Sequence, residues 1–315
     1  MKKIFSLFVL ALLSNVGIHA QQDAQYTNYM YNTMAYNPAY TGSRGVLSAF
    51  LLHRSQWVGL DGAPTSQAFS INSPLKYEKV GLGLSIVNDK LGPSQEFIID
   101  GNVSYTIDVS DRARLAFGLR LGFSIIDVDF SKLNLQFPDG TPVNDPSFFQ
   151  NIENRFAPMI GPGLYYYSDN YYLGVSAPNL IQTEHFQEEL VQPSSTTFIA
   201  KERINYYIMG GYVFRFGEDW QFKPAALAKV VGGSPLQIDL SANVWYKEKL
   251  SLGLAYRWSA ALSALVGFQV SDGLMIGYGY DADTTELGNF NSGSHEIFLR
   301  FEIFSNQSVE SPRFF

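Results

Sequence analysis

The sequence predicts an all-β protein, a transmembrane antiparallel β-barrel of about 14 strands with short periplasmic turns and longer extracellular loops. Two observations lead to this prediction. Apolar and polar residues alternate in one segment after another from residue 45 onward, and charged residues make up only 16% of the chain, against roughly 25% in soluble domains. A membrane barrel has this composition because its outer face is apolar and its inner face is polar.

The alternation is clearest in two consecutive segments. Apolar side chains or glycine occupy every second position from Phe97 to Val109, and mostly polar residues such as Asp100 lie between them. The same pattern runs from Leu115 to Ile125. Successive side chains of a strand point to opposite faces, so each segment has one apolar and one polar face. A soluble β-sandwich also alternates and is the alternative, but polar faces rich in Gly, Ser and Ala favour a lumen.

Reading the whole chain in this way predicts roughly fourteen strands. They lie near residues 45–56, 67–74, 80–89, 96–109, 113–128, 157–167, 170–177, 203–215, 220–231, 237–246, 250–257, 261–270, 274–282 and 294–303. Every second link is short, and the intervening links are mostly longer, which is the arrangement of outer-membrane barrels. Aromatic residues near strand ends favour a girdle at the membrane interface, as at Tyr165, Tyr166, Tyr167, Tyr171 and Tyr172.

The chain divides into four predicted parts: a signal peptide at 1–20, a periplasmic N-terminal segment at 21–44, the outer-membrane barrel at 45–304 and a C-terminal periplasmic tail at 305–315. Lys2 and Lys3 precede a short apolar run that ends at Leu13, and Ala20 is a plausible cleavage point. This run is too short to span a bilayer as a helix. Export and a barrel together predict localisation in the outer membrane.

Charge and cysteine content exclude several kinds of function. Signal cleavage removes two of the 22 basic residues and none of the 29 acidic ones, so the net charge moves from −7 to about −9 and argues against a nucleic-acid partner. The chain has no cysteine, and therefore no disulfide and no thiolate metal site. The remaining histidines, His53, His185 and His295, lack ligand spacing, so we predict neither a metal nor another cofactor.

The segment after the signal carries the most specific pattern, and shorter motifs continue along the chain. The N-terminal motifs are Gln25-Tyr26-Thr27-Asn28-Tyr29-Met30-Tyr31-Asn32, Asn37-Pro38-Ala39-Tyr40-Thr41-Gly42-Ser43-Arg44-Gly45, Arg54-Ser55-Gln56-Trp57-Val58-Gly59-Leu60 and Gly62-Ala63-Pro64-Thr65. Later motifs are Gly81-Leu82-Gly83-Leu84-Ser85, Gly92-Pro93, Gly293-Ser294-His295-Glu296 and Ser311-Pro312-Arg313-Phe314-Phe315. Together they resemble the PorP/SprF family of Bacteroidota outer-membrane proteins, over essentially the whole mature chain.

The resemblance implies a role in type IX secretion and gliding motility. It implies a non-enzymatic barrel, surrounded by outer-membrane lipid, that helps to export surface proteins with a C-terminal targeting domain. It also implies retention of one partner, often an adhesin, at the cell surface, and contacts with periplasmic components of the apparatus. A passive or substrate-specific outer-membrane porin is the alternative function.

Two stretches are candidates for partner binding. Gln56, Trp57, Gly59 and Pro64 lie in the first long loop, where Trp57 would anchor the exported partner because Trp is a frequent interface hot spot. The alternative is a loop that simply packs into the barrel mouth. The stretch from Tyr26 to Tyr40 could plug the lumen, line the barrel base or bind a periplasmic partner, and in the last case the candidates are Asn37, Pro38 and Tyr40.

No catalytic residues are predicted. Charges expected to face the lumen either pair across it or line a selective pore, and pairing is favoured for Asp100, Arg114, Arg120, Asp239, Arg257, Glu296 and Arg300. Ser294, His295 and Glu296 are adjacent, but neighbours on a strand point to opposite faces, so they form no catalytic set.

Overall fold

The computed structural model describes residues 25–75, 79–133, 151–183 and 203–303. Within these ranges the chain forms one antiparallel sheet of 15 strand segments, numbered in chain order. They are β1 Leu47–Ser55, β2 Thr65–Pro74, β3 Val80–Leu91, β4 Ser94–Asp108, β5 Ala113–Val128, β6 Ile152–Ser168, β7 Tyr171–Ser176, β8 Asn205–Tyr212, β9 Phe214–Phe216, β10 Trp220–Val231, β11 Gln237–Tyr246, β12 Leu250–Arg257, β13 Ala261–Ser271, β14 Leu274–Asp283 and β15 Ser294–Ile303.

The sheet closes on itself. β1 pairs with β15 along its whole length, and β10 pairs with β11, so the order of neighbours forms a ring. β8 and β9 both pair with β10 and are separated only by Val213, so they are two pieces of one barrel strand. The result is a closed 14-strand antiparallel barrel, which confirms the predicted fold class. Closure gives each strand a hydrogen-bonded neighbour on both sides. A sheet in lipid requires this because lipid offers no partners to backbone N–H and C=O groups.

The period-two pattern determines which side chains face inward. On β4 the polar residues Asp100, Asn102 and Ser104 are buried inside, whereas Val103 and Tyr105 lie on the outer face with 39% and 51% exposure. The outer face is therefore apolar and suited to lipid. Among the described residues, no helix has the length and apolar character needed to cross a membrane.

The two ends of the barrel differ in their connections. At one end, here the short-turn end, the links are brief, as at 169–170, 247–249 and 272–273. At the other, here the long-loop end, links reach 129–151 and 177–204, although 92–93 and 258–260 are short there as well. In outer-membrane barrels short turns face the periplasm, so the long-loop end is the cell-surface end.

Residues 25–45, here called the plug, lie inside the barrel. The plug contains two short 3-10 turns, Thr33–Ala35 and Pro38–Tyr40, and most of its side chains are buried. The sequence had predicted a periplasmic segment at 21–44, but the structure places its described part in the lumen. The physical reason is the number of Tyr and Met side chains, which lose contact with water there. The predicted signal peptide and C-terminal tail lie outside the described residues.

The tyrosines near the short-turn end divide between two environments. Tyr166 and Tyr171 lie on the outer face, as a girdle requires, with their hydroxyl oxygens 3.4 Å apart. Tyr165, Tyr167 and Tyr172 point into the lumen with at most 7% exposure. The prediction of a single girdle was wrong for these three, because alternation along a strand sends adjacent residues to opposite faces.

Candidate functional site: a plugged lumen and its rim

The plug is held first by aromatic packing. Tyr36 lies at its centre, in edge-to-face contact with Tyr26, Tyr29 and the wall residue Tyr207, with ring centroids 6.4, 6.4 and 5.2 Å away. The Tyr36 hydroxyl also accepts a hydrogen bond from the Tyr26 N–H at 2.9 Å. Each edge-to-face pair contributes about 0.5–1.5 kcal/mol of stabilisation in addition to the hydrophobic effect of burying the two rings. This cluster therefore stabilises the plug against the wall.

A charged network binds the plug near the long-loop end. Glu296 accepts hydrogen bonds from the backbone N–H groups of Thr27 and Asn28 at 3.0 and 2.8 Å. Asp281 accepts one from the Thr27 hydroxyl. Between the two carboxylates, Arg54 makes ion pairs of 2.8 Å to Asp281 and 3.2 Å to Glu296. Arg54 thus pairs with two carboxylates, and both carboxylates also hold the start of the plug.

The wall also satisfies the plug backbone deeper in the lumen. Arg120 donates to the carbonyl oxygens of Met34 and Ala35 at 2.8 and 2.9 Å while it pairs with Asp100 at 3.3 Å. Three further wall side chains bind plug backbone groups, namely Ser176 at Tyr36 O, Ser104 at Thr41 O and Asn72 at Gly42 N. The irregular plug backbone can therefore be buried at low cost, because its polar groups find partners.

Glycine in the wall provides the space for the plug. A Cβ built on Gly118 of β5 would lie 2.1 Å from the backbone nitrogen and 2.4 Å from the Cα of Ala39. A Cβ on Gly81 of β3 would lie 2.3 Å from the carbonyl oxygen of Thr41. Any larger residue at either position would collide with plug backbone, so the absence of a side chain is a requirement of this packing.

Two arginines share one carboxylate at the short-turn end. Arg44, at the end of the plug, binds Glu302 through two nitrogens, one of them at 3.0 Å. Arg300 lies 3.8 Å from the same carboxylate, and its guanidinium sits over the Tyr31 ring at 5.6 Å. The plug is therefore tied to the wall by charge at both ends.

The lumen charges predicted from the sequence are paired in the structure. Asp100 pairs with Arg120, Asp239 with Arg257 at 2.9 Å, Glu296 with Arg54, and Arg300 with Glu302. Arg114 differs because it lies at the short-turn rim, where it is partly exposed and pairs with Asp108 at 3.3 Å. The pairings favour a structural role for these charges over an ion pathway.

The first long loop is joined to the loop between β14 and β15. The N–H of Val58 donates to Gly293 O at 2.9 Å, and the N–H of Ser292 donates to Val58 O at 2.7 Å. Trp57 donates from its backbone to the Ser294 hydroxyl and from its indole N–H to Asp283 at 3.3 Å. We call loops 56–64 and 284–293 together the joined rim.

The predicted partner-binding residues therefore lie in two separate places. Gln56 and Pro64 close the base of the first loop through a 2.9 Å backbone hydrogen bond, and Trp57 is half-buried and Gly59 exposed in the same loop. Asn37, Pro38 and Tyr40 are buried inside the plug, where the Asn37 amide donates to Leu164 O at 2.9 Å. Partner binding by either group stays a prediction, and for the second it would require movement of the plug.

The adjacent polar residues at the start of β15 face opposite sides of the wall. Ser294 and Glu296 are buried in the lumen, whereas the imidazole of His295 meets the Tyr278 hydroxyl on the outer face at 2.6 Å. Across the described ranges, no group of three or more His, Cys, Asp or Glu residues is arranged to hold a metal ion.

Sequence reasoning missed the residues that anchor the plug by charge: Arg44, Arg54, Asp281 and Glu302. A partial signal existed, since Arg54 falls on the inward positions of β1 with Phe50 and Leu52. Its partners could not be identified, because they depend on strand register: Arg54 lies directly opposite Glu296 in the β1–β15 pair.

A closed barrel with an apolar outer face and a filled, charge-paired lumen belongs to the class of outer-membrane β-barrels. The family described as type IX secretion system membrane protein PorP/SprF matches residues 18–301, and the chain belongs to this family. It is thus a membrane component of the type IX secretion system, located in the outer membrane. A comparison with curated protein sequences found no significant match.

Solved structures show the same fold at low sequence identity. The Ralstonia pickettii toluene transporter TbuX is similar over 86% of this chain and 92% of its own, with 10% identity and a TM-score of 0.50. The CymD monoaromatic hydrocarbon channel is similar over 92% of this chain and 96% of its own, with 11% identity and a TM-score of 0.50. These likenesses concern the barrel fold alone.

Proposed function

We propose that this barrel assists export of a partner surface protein with a C-terminal targeting domain and retains it at the cell surface, without enzymatic activity. The observation that carries the proposal is the filled lumen. A barrel occupied by its own N-terminal segment is poorly suited to solute passage, and its interaction surface lies on the loops. Membership of a secretion family supports a polypeptide partner over a small solute.

The joined rim has the features of a docking surface. It exposes Val58 and Phe290, the latter with 70% exposure, on a backbone fixed by two inter-loop hydrogen bonds. A rigid surface binds with a smaller entropy loss than a mobile one. Trp57, at its base, is the residue most suited to act as an anchor. Periplasmic components of the apparatus would contact the opposite, short-turn end.

The test is deletion of the gene followed by quantitative proteomics of the cell surface. We expect one or a few surface proteins to be lost or released into the medium while general export continues. An unchanged surface proteome combined with impaired uptake of a small solute would contradict retention and favour the porin.

A Trp57→Ala variant should assemble normally but retain its partner less well. The two inter-loop backbone bonds of Val58 do not depend on the indole, so the rim should persist. Loss of a Trp hot spot costs about 2 kcal/mol or more, which corresponds to roughly thirtyfold weaker affinity. The matched control is Trp258→Ala, which removes a 61% exposed Trp from another link at the same end. Equal retention by the two variants, measured by surface proteomics, would rule out Trp57 as the anchor.

The purified wild-type protein should show little steady conductance in planar lipid bilayers. The reason is that residues from Tyr26 to Tyr40 pack against the inner wall, with Tyr36 and Tyr40 exposed by no more than 5%. Single-channel recording provides the measurement. A large, continuously open channel would support the porin alternative.

A further inference from the structure

The buried charges of the lumen are unevenly distributed between the two ends of the barrel. At the short-turn end, the buried charged side chains of the described residues are Arg44, Lys223, Arg300 and Glu302. Three cations and one carboxylate give this end a formal excess of two positive charges. In the rest of the described lumen, acids and bases are nearly balanced, with Asp100, Asp239, Asp281 and Glu296 against Arg54, Arg120 and Lys229. Buried charges are normally compensated by a partner, so the excess at the short-turn end requires an explanation.

Arg300 has unused hydrogen-bond donors in this cluster. Its side chain is 2% exposed, and among the described residues neither its Nε nor its Nη1 atom has a hydrogen-bond partner. Nε lies 3.8 Å from Glu302, beyond hydrogen-bond length, because that carboxylate is held by two nitrogens of Arg44. The Tyr31 ring attracts the guanidinium at 5.6 Å, but a ring face accepts none of its in-plane N–H groups. Arg300 therefore keeps the capacity to bind a further acceptor, and a buried group of this kind commonly marks an ion site.

Lys223 brings a further positive charge to the same end. It is the fourth residue of β10 counted from the short-turn end, as Arg300 is the fourth residue of β15. Its ammonium lies 5.4 Å from the centre of the Tyr172 ring, and its electrostatic interactions with Arg44 and Arg300 are repulsive. A negative charge placed among these groups would attract all three cations.

We propose that the short-turn end of the lumen binds one small oxyanion, of the class of inorganic phosphate, which accepts hydrogen bonds from Arg300 and is balanced by Lys223 and Arg44. An oxyanion fits because its several oxygens accept charge-assisted hydrogen bonds from guanidinium and ammonium groups. A small ion fits better than an acidic peptide, because each of the three cations is no more than 5% exposed.

The position of the cluster gives the ion a short path from the periplasm and a role in holding the plug. Glu302 is one residue from the end of β15, so the cluster lies just inside the short-turn mouth. Arg44 belongs to the plug, whereas Lys223 and Arg300 belong to the wall. The bound ion offsets the repulsion among these cations and so stabilises the seated plug. This site does not depend on the proposed retention of a partner.

Isothermal titration calorimetry with inorganic phosphate tests the proposal on the full-length protein, folded in a maltoside detergent whose head group has no phosphate. We expect saturable binding of one phosphate per chain. The matched variants are Lys223→Gln and Lys229→Gln, which each remove a buried lysine of β10 that lies over a tyrosine ring, at 5.4 and 5.9 Å. Lys223→Gln should bind phosphate about tenfold more weakly or less, because a hydrogen bond to a charged group is worth that much affinity. Lys229→Gln, near the long-loop end, should bind like the wild type.

Urea unfolding provides a second measurement. Phosphate should raise the unfolding midpoint of the wild type and of Lys229→Gln with a saturable dependence on its concentration, and this shift should be lost in Arg300→Gln. General exclusion of phosphate from protein surfaces would raise all midpoints alike and without saturation, so the comparison separates it from binding at the site.

Three results would overturn the proposal. The first is the absence of saturable phosphate binding by the wild type, which needs no variant for its interpretation. The second is an equal loss of affinity in Lys223→Gln and Lys229→Gln, since this would attribute the effect to net charge rather than to the short-turn end. The third is a saturable midpoint shift in Arg300→Gln equal to that of the wild type.

Discussion

Replacement of Gly118 by valine is expected to prevent the plug from seating in the lumen. A Cβ at this position would already lie 2.1 Å from the backbone nitrogen of Ala39, and backbone cannot rotate away as a side chain does. Overpacking of a core typically costs about 1–3 kcal/mol, and occasionally more. We expect the upper end of that range for Gly118→Ala and a larger effect for Gly118→Val.

The effect should appear as loss of the fast-migrating folded form on unheated gels and as new protease sensitivity within residues 25–45. Gly101→Ala is the matched control on the neighbouring strand. Its Cβ would face outward and meet only Leu121 O, at 3.8 Å, so this variant should behave like the wild type. Wild-type stability and protease resistance of Gly118→Val would show that the plug does not occupy this position.

Removal of the Glu296 carboxylate is expected to have the second large effect. This side chain is 1% exposed, accepts hydrogen bonds from Thr27 and Asn28, and pairs with Arg54. In Glu296→Ala, the backbone N–H groups of Thr27 and Asn28 lose their acceptor, whereas Arg54 keeps Asp281 and the Thr27 hydroxyl as partners. Each buried donor left without an acceptor costs about 1–3 kcal/mol, and this variant creates two, while the Asp281 carboxylate still compensates the charge of Arg54.

Equilibrium unfolding in urea, with the protein in lipid vesicles, measures this loss. Glu296→Gln is the conservative variant, since its amide oxygen can still accept one of the backbone hydrogen bonds, and it should lie between the wild type and Glu296→Ala. Asp108→Asn breaks the exposed pair with Arg114 and should cost less than about 1 kcal/mol. Equal midpoints for Glu296→Ala and Asp108→Asn would show that the plug is not anchored by this carboxylate.

The barrel wall could be predicted closely from the sequence. The predicted bounds 113–128, 220–231, 237–246, 250–257 and 294–303 agree with β5, β10, β11, β12 and β15 residue for residue. Alternation of apolar and polar residues is a local property of the sequence. In a barrel the outer face meets lipid and the inner face meets the lumen, so the local pattern is sufficient to identify the strands and their two faces. The predicted strand at 157–167 was too short, since β6 begins at Ile152. Glu153 and Asn154 interrupt the alternation of apolar and polar residues there, so the pattern does not reveal the first residues of this strand.

The lumen could not be predicted in the same detail. Residues 26–40 are rich in Tyr, Asn and Met, and this composition is compatible with three roles. Burial in the lumen is decided by contacts with distant strands, such as the contact of Thr27 with Glu296, 269 residues further along the chain. Alternation places Tyr165 on the inner face, but its contact with Tyr40 of the plug depends on the tertiary structure.

The sequence by itself thus determined the strands, the faces of the wall, the export class and, through its motifs, the family. The tertiary structure decided the position and direction of the plug, the pairing of the lumen charges and the joining of the two rim loops. The physical reason is range: alternation and turn chemistry act between near neighbours, whereas ion pairs such as Arg54 with Glu296 exist only after closure of the β1–β15 seam sets their register.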